Sequence, residues 1–114
     1  MNNLPEKMKA IVAYAPGDYR LEEVETPHAG EGEMILKVEV CGICAGDVKA
    51  FGGAASFWGL DGQPKYIKAP MIPGHEFVGT IVEMGKNVKG NWKIGDRICP
   101  EQIVPCGECR FCKT

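Results

Sequence analysis

Apolar positions recur along much of this chain with a period of two. Met34, Leu36, Val38 and Val40 alternate with Lys37 and Glu39, the pattern of a strand with one face on a core and the other in water. The stretch from Phe77 to Met84 is apolar on both sides, with Val78, Val82 and Met84 against Phe77 and Ile81. A strand there is expected to lie deeper in the fold. Shorter strands are expected over Lys9 to Tyr14, Arg20 to Glu25 and Arg97 to Cys99. Pro16-Gly17 offers the fixed φ and then the positive φ of a type II turn, and Gly85, Gly90 and Gly95-Asp96 are expected to break the chain in the same way. Short strands divided by corners, in a chain with 15 glycines and 8 prolines, predict a mainly β fold, a small barrel or sandwich.

One segment departs from this period. Ala45 to Phe51 has the length of a short helix ending at Gly52-Gly53, and Ala54 to Lys68 reads as a long irregular loop carrying Phe57 and Trp58. Long loops with aromatic residues often border binding sites. Covering a core edge would suit the same two side chains. No internal repeat, low-complexity tract or linker interrupts the chain.

Composition narrows the classes. With 114 residues, 45% of them hydrophobic, the chain can bury one core and has no room for a second domain of ordinary size, so residues 1–114 read as one domain. The net charge is -2 and the 13 basic residues are scattered, which leaves no stripe to follow a nucleic-acid backbone. The opening Met1 to Lys7 lacks the apolar stretch of a signal peptide, and no run approaches the roughly 18 apolar residues of a membrane span. The expected setting is soluble and cytoplasmic. In such a setting the six cysteines read as reduced thiols and metal ligands rather than as a disulfide framework.

Those cysteines fall into two groups with different spacing. Cys44 stands upstream of His75-Glu76, which follows Ile72-Pro73-Gly74 just before the buried strand. Glycine before the histidine would let the backbone bend and aim the imidazole inward. Thiolate and imidazole are the donors a borderline-soft ion such as zinc prefers. Taken singly, His75 could be an ordinary hydrogen-bonded residue, Cys44 a small buried hydrophobe and Glu76 a strand-end charge or a carboxylate that tunes a metal from nearby. A helical metalloprotease motif is excluded, because Gly79 stands where its second histidine would be. Cys41-Gly42-Ile43-Cys44 also has the spacing of a redox pair, but that motif should open a helix in a βαβ setting. Cys41 and Cys99 are expected to be buried thiols. The second group, Cys106, Cys109 and Cys112, sets three thiolates within reach of one ion. A closed tetrahedral zinc site wants a fourth, and an iron-sulfur run of similar start would also continue with another cysteine.

Taken together, Cys41-Gly42-Ile43-Cys44 with Asp47, Gly74-His75-Glu76-Phe77-Val78-Gly79, Gly95-Asp96-Arg97 and the cysteine comb resemble the N-terminal part of zinc-dependent medium-chain alcohol dehydrogenases. The resemblance runs from Met8 to Cys112. The Phe51 to Ala69 loop and Lys68-Ala69-Pro70 look most like the polyol branch, the relatives of sorbitol, threitol and erythritol dehydrogenases.

The resemblance implies a GroES-like catalytic domain, a partly open β-barrel, followed by a Rossmann domain that binds NAD or NADP. No Gly-x-Gly-x-x-Gly stretch is present here to serve that role. It also implies a catalytic zinc held by Cys44, His75 and a ligand beyond residue 114, with Glu76 as the adjacent carboxylate, and a structural zinc whose first three ligands are Cys106, Cys109 and Cys112. The implied reaction moves a hydride between a small alcohol or polyol and NAD(P), with zinc polarising the alcohol, in a parent enzyme that is a homo-oligomer. In isolation the 114 residues would then be inactive. Two positions depart from the family pattern: Gly46 stands where a serine or threonine usually passes on the alcohol proton, and Lys49 where some relatives have histidine. A stand-alone zinc- or iron-sulfur-binding module is the alternative from another class. A quinone reductase on the same scaffold generally lacks these zinc ligands.

Overall fold

Alternation and turn chemistry produce two small antiparallel sheets. A computed structural model describes residues 4–60, 62 and 64–114. The strands are β1 (Lys7–Ala15), β2 (Asp18–Glu25), β3 (Met34–Cys41), β4 (Phe77–Met84) and β5 (Arg97–Ile98); the helices are α1 (Ala45–Phe51), α2 (Ala55–Trp58) and α3 (Arg110–Lys113). Strands β1 and β2 form a hairpin around Pro16-Gly17, with Gly17 at a φ of +71° as the turn signal requires. The second sheet has the order β3-β4-β5. Its central strand is β4, and the side chain of Ile81 there is fully buried at 0% exposure, in line with its apolar residues on both faces.

The hairpin is tied to the rest of the chain by an isolated bridge, by the Gly17 amide donating to the Phe51 carbonyl at 2.9 Å and by the Tyr19 ring meeting Phe51 edge-on at 5.0 Å. Ala13 and Met71 exchange backbone hydrogen bonds of 2.8 and 3.1 Å, and Val12, Ala13, Ala50, Ile67 and Ile81 form the buried apolar core. The two sheets do not join into a closed barrel. Among the described residues no helix is long and apolar enough to cross a membrane.

Four local expectations need correction. Strand β5 ends at Ile98, short of Cys99. The 54–68 stretch is less irregular than its composition predicts, because Phe57 and Trp58 sit in the single turn of α2, whose backbone bonds to Ala54 close it. Gly85 does not have a positive φ; that conformation falls on Asn87, at +60°, while Gly85 lies flush against the carbonyl of Gly30. Cys41 and Cys99 are exposed, not buried. Cys41 closes an edge strand and Cys99 lies just past a two-residue strand, so neither has sheet neighbours on both sides.

Candidate metal centres and the cavity beside them

The ladder between β3 and β4 determines where the first cluster forms. Cys41 pairs with Phe77, and the amide of Gly42 donates to the carbonyl of Glu76 at 2.7 Å. The chain leaving β3 and the chain entering β4 therefore run side by side. Cys44 then becomes the N-cap of α1, with its backbone extended at φ -84° and ψ 156°. Its Sγ accepts the Gly46 N–H at 3.3 Å, and its own N–H donates to Asp47 Oδ2 at 2.8 Å. This is a capping box with a thiol in the place usually held by a hydroxyl.

Across from it, Gly74 has a φ of +113°, in a region open to glycine and strained for other residues. A Cβ there would also sit 3.2 Å from Cys41 Sγ. The bend turns His75 back toward α1, where its Nδ1 lies 3.6 Å from Asp47 Oδ1. That separation is too long for a hydrogen bond but short enough for attraction when the ring is charged. Asp47 thus addresses both residues with one carboxylate. Sequence reading placed it in a motif without a role, because capping-box signals begin with serine or threonine, not cysteine.

Donor atoms of Cys44, His75 and Glu76 all lie within 4.8 Å of one another. Cys44 and His75 are half-buried and Glu76 is exposed. Zinc bonds of about 2.0–2.3 Å place neighbouring tetrahedral donors some 3.3–3.8 Å apart, so one ion fits this trio with small side-chain adjustment. Cys44 and His75 also line a cavity of about 430 Å³, whose other walls include Gly46, Phe57, Ile67, Met71 and Gln102. Gln102 was not singled out in the sequence, since no spacing rule marks an isolated amide.

The aromatic pair divides its work. Phe57 lines this cavity and meets Tyr66 edge-on at 6.1 Å. Trp58 faces a different hollow, and its indole N–H donates to the Ala50 carbonyl at 2.6 Å, a core-edge role.

The comb forms the second cluster. The thiols of Cys106 and Cys112 are 3.7 Å apart and those of Cys109 and Cys112 are 3.4 Å apart. Thiolates at about 2.3 Å around one zinc ion stand about 3.8 Å apart, so the tripod fits the ion. Gly107, at φ +73°, turns the chain so that the Cys109 N–H donates to Cys106 Sγ at 3.3 Å. Backbone donation from Glu108 and Cys109, joined by the neighbouring thiols, lowers the Cys106 pKa from 9.0 to about 7. All three cysteines are solvent-exposed.

Comparison with known proteins places the chain in a family. The alcohol dehydrogenase GroES-like domain model matches residues 30–114. Over 114 residues the chain is 52% identical to the erythritol/L-threitol dehydrogenase of Mycolicibacterium smegmatis, covering 98% of this chain and 32% of that protein. It is 44% identical over 95 residues to the alcohol dehydrogenase of Geobacillus stearothermophilus, covering 82% of this chain and 25% of that one. Among solved structures, the cobalt- and zinc-bound thermostable alcohol dehydrogenase of Pyrobaculum aerophilum superposes with a TM-score of 0.76 at 32% identity, over 94% of this chain and 30% of that one. The chain belongs to the medium-chain alcohol dehydrogenase family as its N-terminal, GroES-like domain. It spans about a third or less of the length of these relatives.

Proposed function

We propose that residues 1–114 form the metal-bearing catalytic portion of a dehydrogenase that exchanges a hydride between an alcohol, most readily a polyol, and NAD or NADP held by a separate domain. The observation that carries this reading is the convergence of Cys44, His75 and Glu76 within 4.8 Å of one another, two of them lining the cavity. Support comes from the 52% identity to an erythritol/L-threitol dehydrogenase.

In this reading Cys44 and His75 hold a zinc ion, with Glu76 as an adjacent carboxylate, and Cys106, Cys109 and Cys112 hold a second, structural one. The first ion supplies Lewis-acid polarisation of an alcohol oxygen. Asp47 fixes the Cys44 backbone by its hydrogen bond and faces the His75 Nδ1 at 3.6 Å. Phe57, Ile67 and Met71 give the cavity an apolar wall that excludes water from the reacting carbon. Gly46 carries no hydroxyl, so the proton leaves through water or by way of Glu76. The parent enzyme is a cytoplasmic homo-oligomer, a setting in which thiol ligands stay reduced.

The direct test uses the full-length protein. Elemental analysis should find zinc, and erythritol or threitol should drive the reduction of NAD or NADP, followed by absorbance. A zinc-loaded enzyme that reduces neither cofactor with any alcohol would refute the proposal.

The comb carries a pH dependence of its own. Thiolate is the ligand form, and Cys106 keeps it down to about pH 7. A bound ion would hold the thiolates against protonation to pH values well below that of the free thiol, so zinc here should be held at neutral pH and released only on further acidification, as protons compete for the sulfur. Titration of full-length enzyme against a chromophoric chelator checks this. An acid-release curve that is unchanged by Cys106→Ser would contradict the assignment of Cys106 as a ligand.

A further inference from the structure

The β1–β2 hairpin carries two tyrosines, Tyr14 and Tyr19, whose hydroxyls are used differently. The Tyr14 phenol donates to Glu22 Oε2 at 2.9 Å, and Arg20 lies over its ring at 4.5 Å from the centroid. That hydroxyl is committed to the hairpin's own surface. Tyr19 pairs with Ala13 in the hairpin register, and Ala13 bridges Met71 on the wall of the 430 Å³ cavity. Tyr19 is half-buried and lines the same cavity, yet its hydroxyl makes no hydrogen bond with any described residue. A tyrosine hydroxyl taken out of water ordinarily has a partner. The ring is held in place by Phe51, which it meets edge-on at 5.0 Å. Phe51 ends α1 and Cys44 caps its start, a separation of roughly 10 Å at the rise of a helix. Packed on Phe51, Tyr19 is thus held at the other end of that helix from the metal-ligand cluster.

We infer that Tyr19 is a specificity-determining residue whose hydroxyl hydrogen-bonds a hydroxyl of the polyol chain beyond the one being oxidised. The inference rests on the reading of Cys44 and His75 as the end of the cavity that takes the reacting hydroxyl. Every further hydroxyl that enters gives up water, and against Phe57, Ile67 and Met71 it would find no partner. Among the polar side chains on this wall outside the metal cluster, Asp47 is engaged with Cys44 and His75. Tyr66 is 79% exposed and Gln102 is exposed as well, so both keep their hydration. Tyr19 is the half-buried one with its hydroxyl uncommitted. A phenol both donates and accepts, which matches the two roles of an alcohol hydroxyl. A plain alkanol offers it nothing to bind.

The test compares L-threitol with n-butanol, which share a four-carbon chain and differ in the hydroxyls along it. In full-length enzyme, Tyr19→Phe removes one oxygen and keeps the ring against Phe51. It should lower the ratio of kcat/KM for L-threitol over n-butanol by about threefold or more, the worth of one neutral hydrogen bond. A smaller change in that ratio overturns the inference. The denaturation midpoint should not move, since the lost hydroxyl bonds to no described residue. A midpoint that falls together with the turnover of both alcohols, the ratio unchanged, would mark Tyr19 as structural and likewise overturn it. Ligand-observed NMR supplies a readout without turnover: L-threitol should bind the Tyr19→Phe enzyme about threefold or more weakly than wild type, and equal binding counts against the inference. A wild type that oxidises n-butanol but neither threitol nor erythritol overturns the inference and leaves the metal site standing. If it oxidises no alcohol, the proposed function fails, and threitol binding still decides whether Tyr19 makes the contact.

Discussion

Replacing His75 by alanine should abolish alcohol oxidation by the full-length enzyme. The expected loss in kcat is well beyond about 100-fold, because removing partners one shell further from a metal already costs about 10- to 100-fold. Zinc at the Cys44 cluster should be lost or displaced, so elemental analysis should show a fall of about one ion per chain. The fold should survive. His75 is half-buried and precedes the ladder that begins at Phe77, and it is not one of the buried core residues. Circular dichroism should therefore keep its β signal and unfolding should stay cooperative. A variant that kept its zinc and oxidised alcohols at the wild-type rate would end the assignment of this domain as the catalytic metal site.

The largest effect on stability is expected from Gly85→Ala. A Cβ on Gly85 would fall inside the carbonyl of Gly30, and the backbone on both sides is pinned. The Gly85 amide donates to Glu33 at 2.9 Å, and the Gly32 amide donates to Lys86 at 2.7 Å. Glu83 adds a further clamp, accepting from the Ala29 amide at 2.6 Å. Relief therefore requires the 29–33 segment to separate from the end of β4, at a cost of about 3 kcal/mol or more. Gly17→Ala makes the comparison. It has a positive φ of +71° but nothing within 4 Å of the added carbon, so only the left-handed penalty of about 1–2 kcal/mol applies. Denaturant unfolding of the two variants should rank Gly85→Ala as clearly the less stable; equal midpoints would show that the 29–33 segment yields freely.

The ordering of these two glycines illustrates what sequence could and could not reveal. Alternation located β3, a run apolar on both faces located β4, and the break in the period ahead of Gly52-Gly53 located α1. Gly85 was read as a positive-φ turn, since composition marks a corner but not which residue adopts the unusual dihedral; Asn87 does so. Cys44 and His75 were legible through motif spacing. Asp47 was not, because its 2.8 Å bond to the Cys44 amide is a local cap signalled by cysteine rather than serine or threonine, and its 3.6 Å approach to His75 arises only where the chain entering β4 comes back past α1. Exposure of Cys41 and Cys99 escaped prediction because edge position is a property of strand order, not of the strand.

The two candidate metal clusters also differ in how far the chain must travel to make them. Cys106, Cys109 and Cys112 lie within one seven-residue stretch, so their assembly closes only a short loop. Cys44 and His75 meet only when β3 has found β4, with Cys41 opposite Phe77 across the intervening chain. The entropy of closing a loop rises with its length, and distant pairings are the slower ones to form. If both clusters hold metal as proposed, an ion meeting the unfolded chain would find the comb first, while the Cys44–His75 pair would become available only after the sheet is in place.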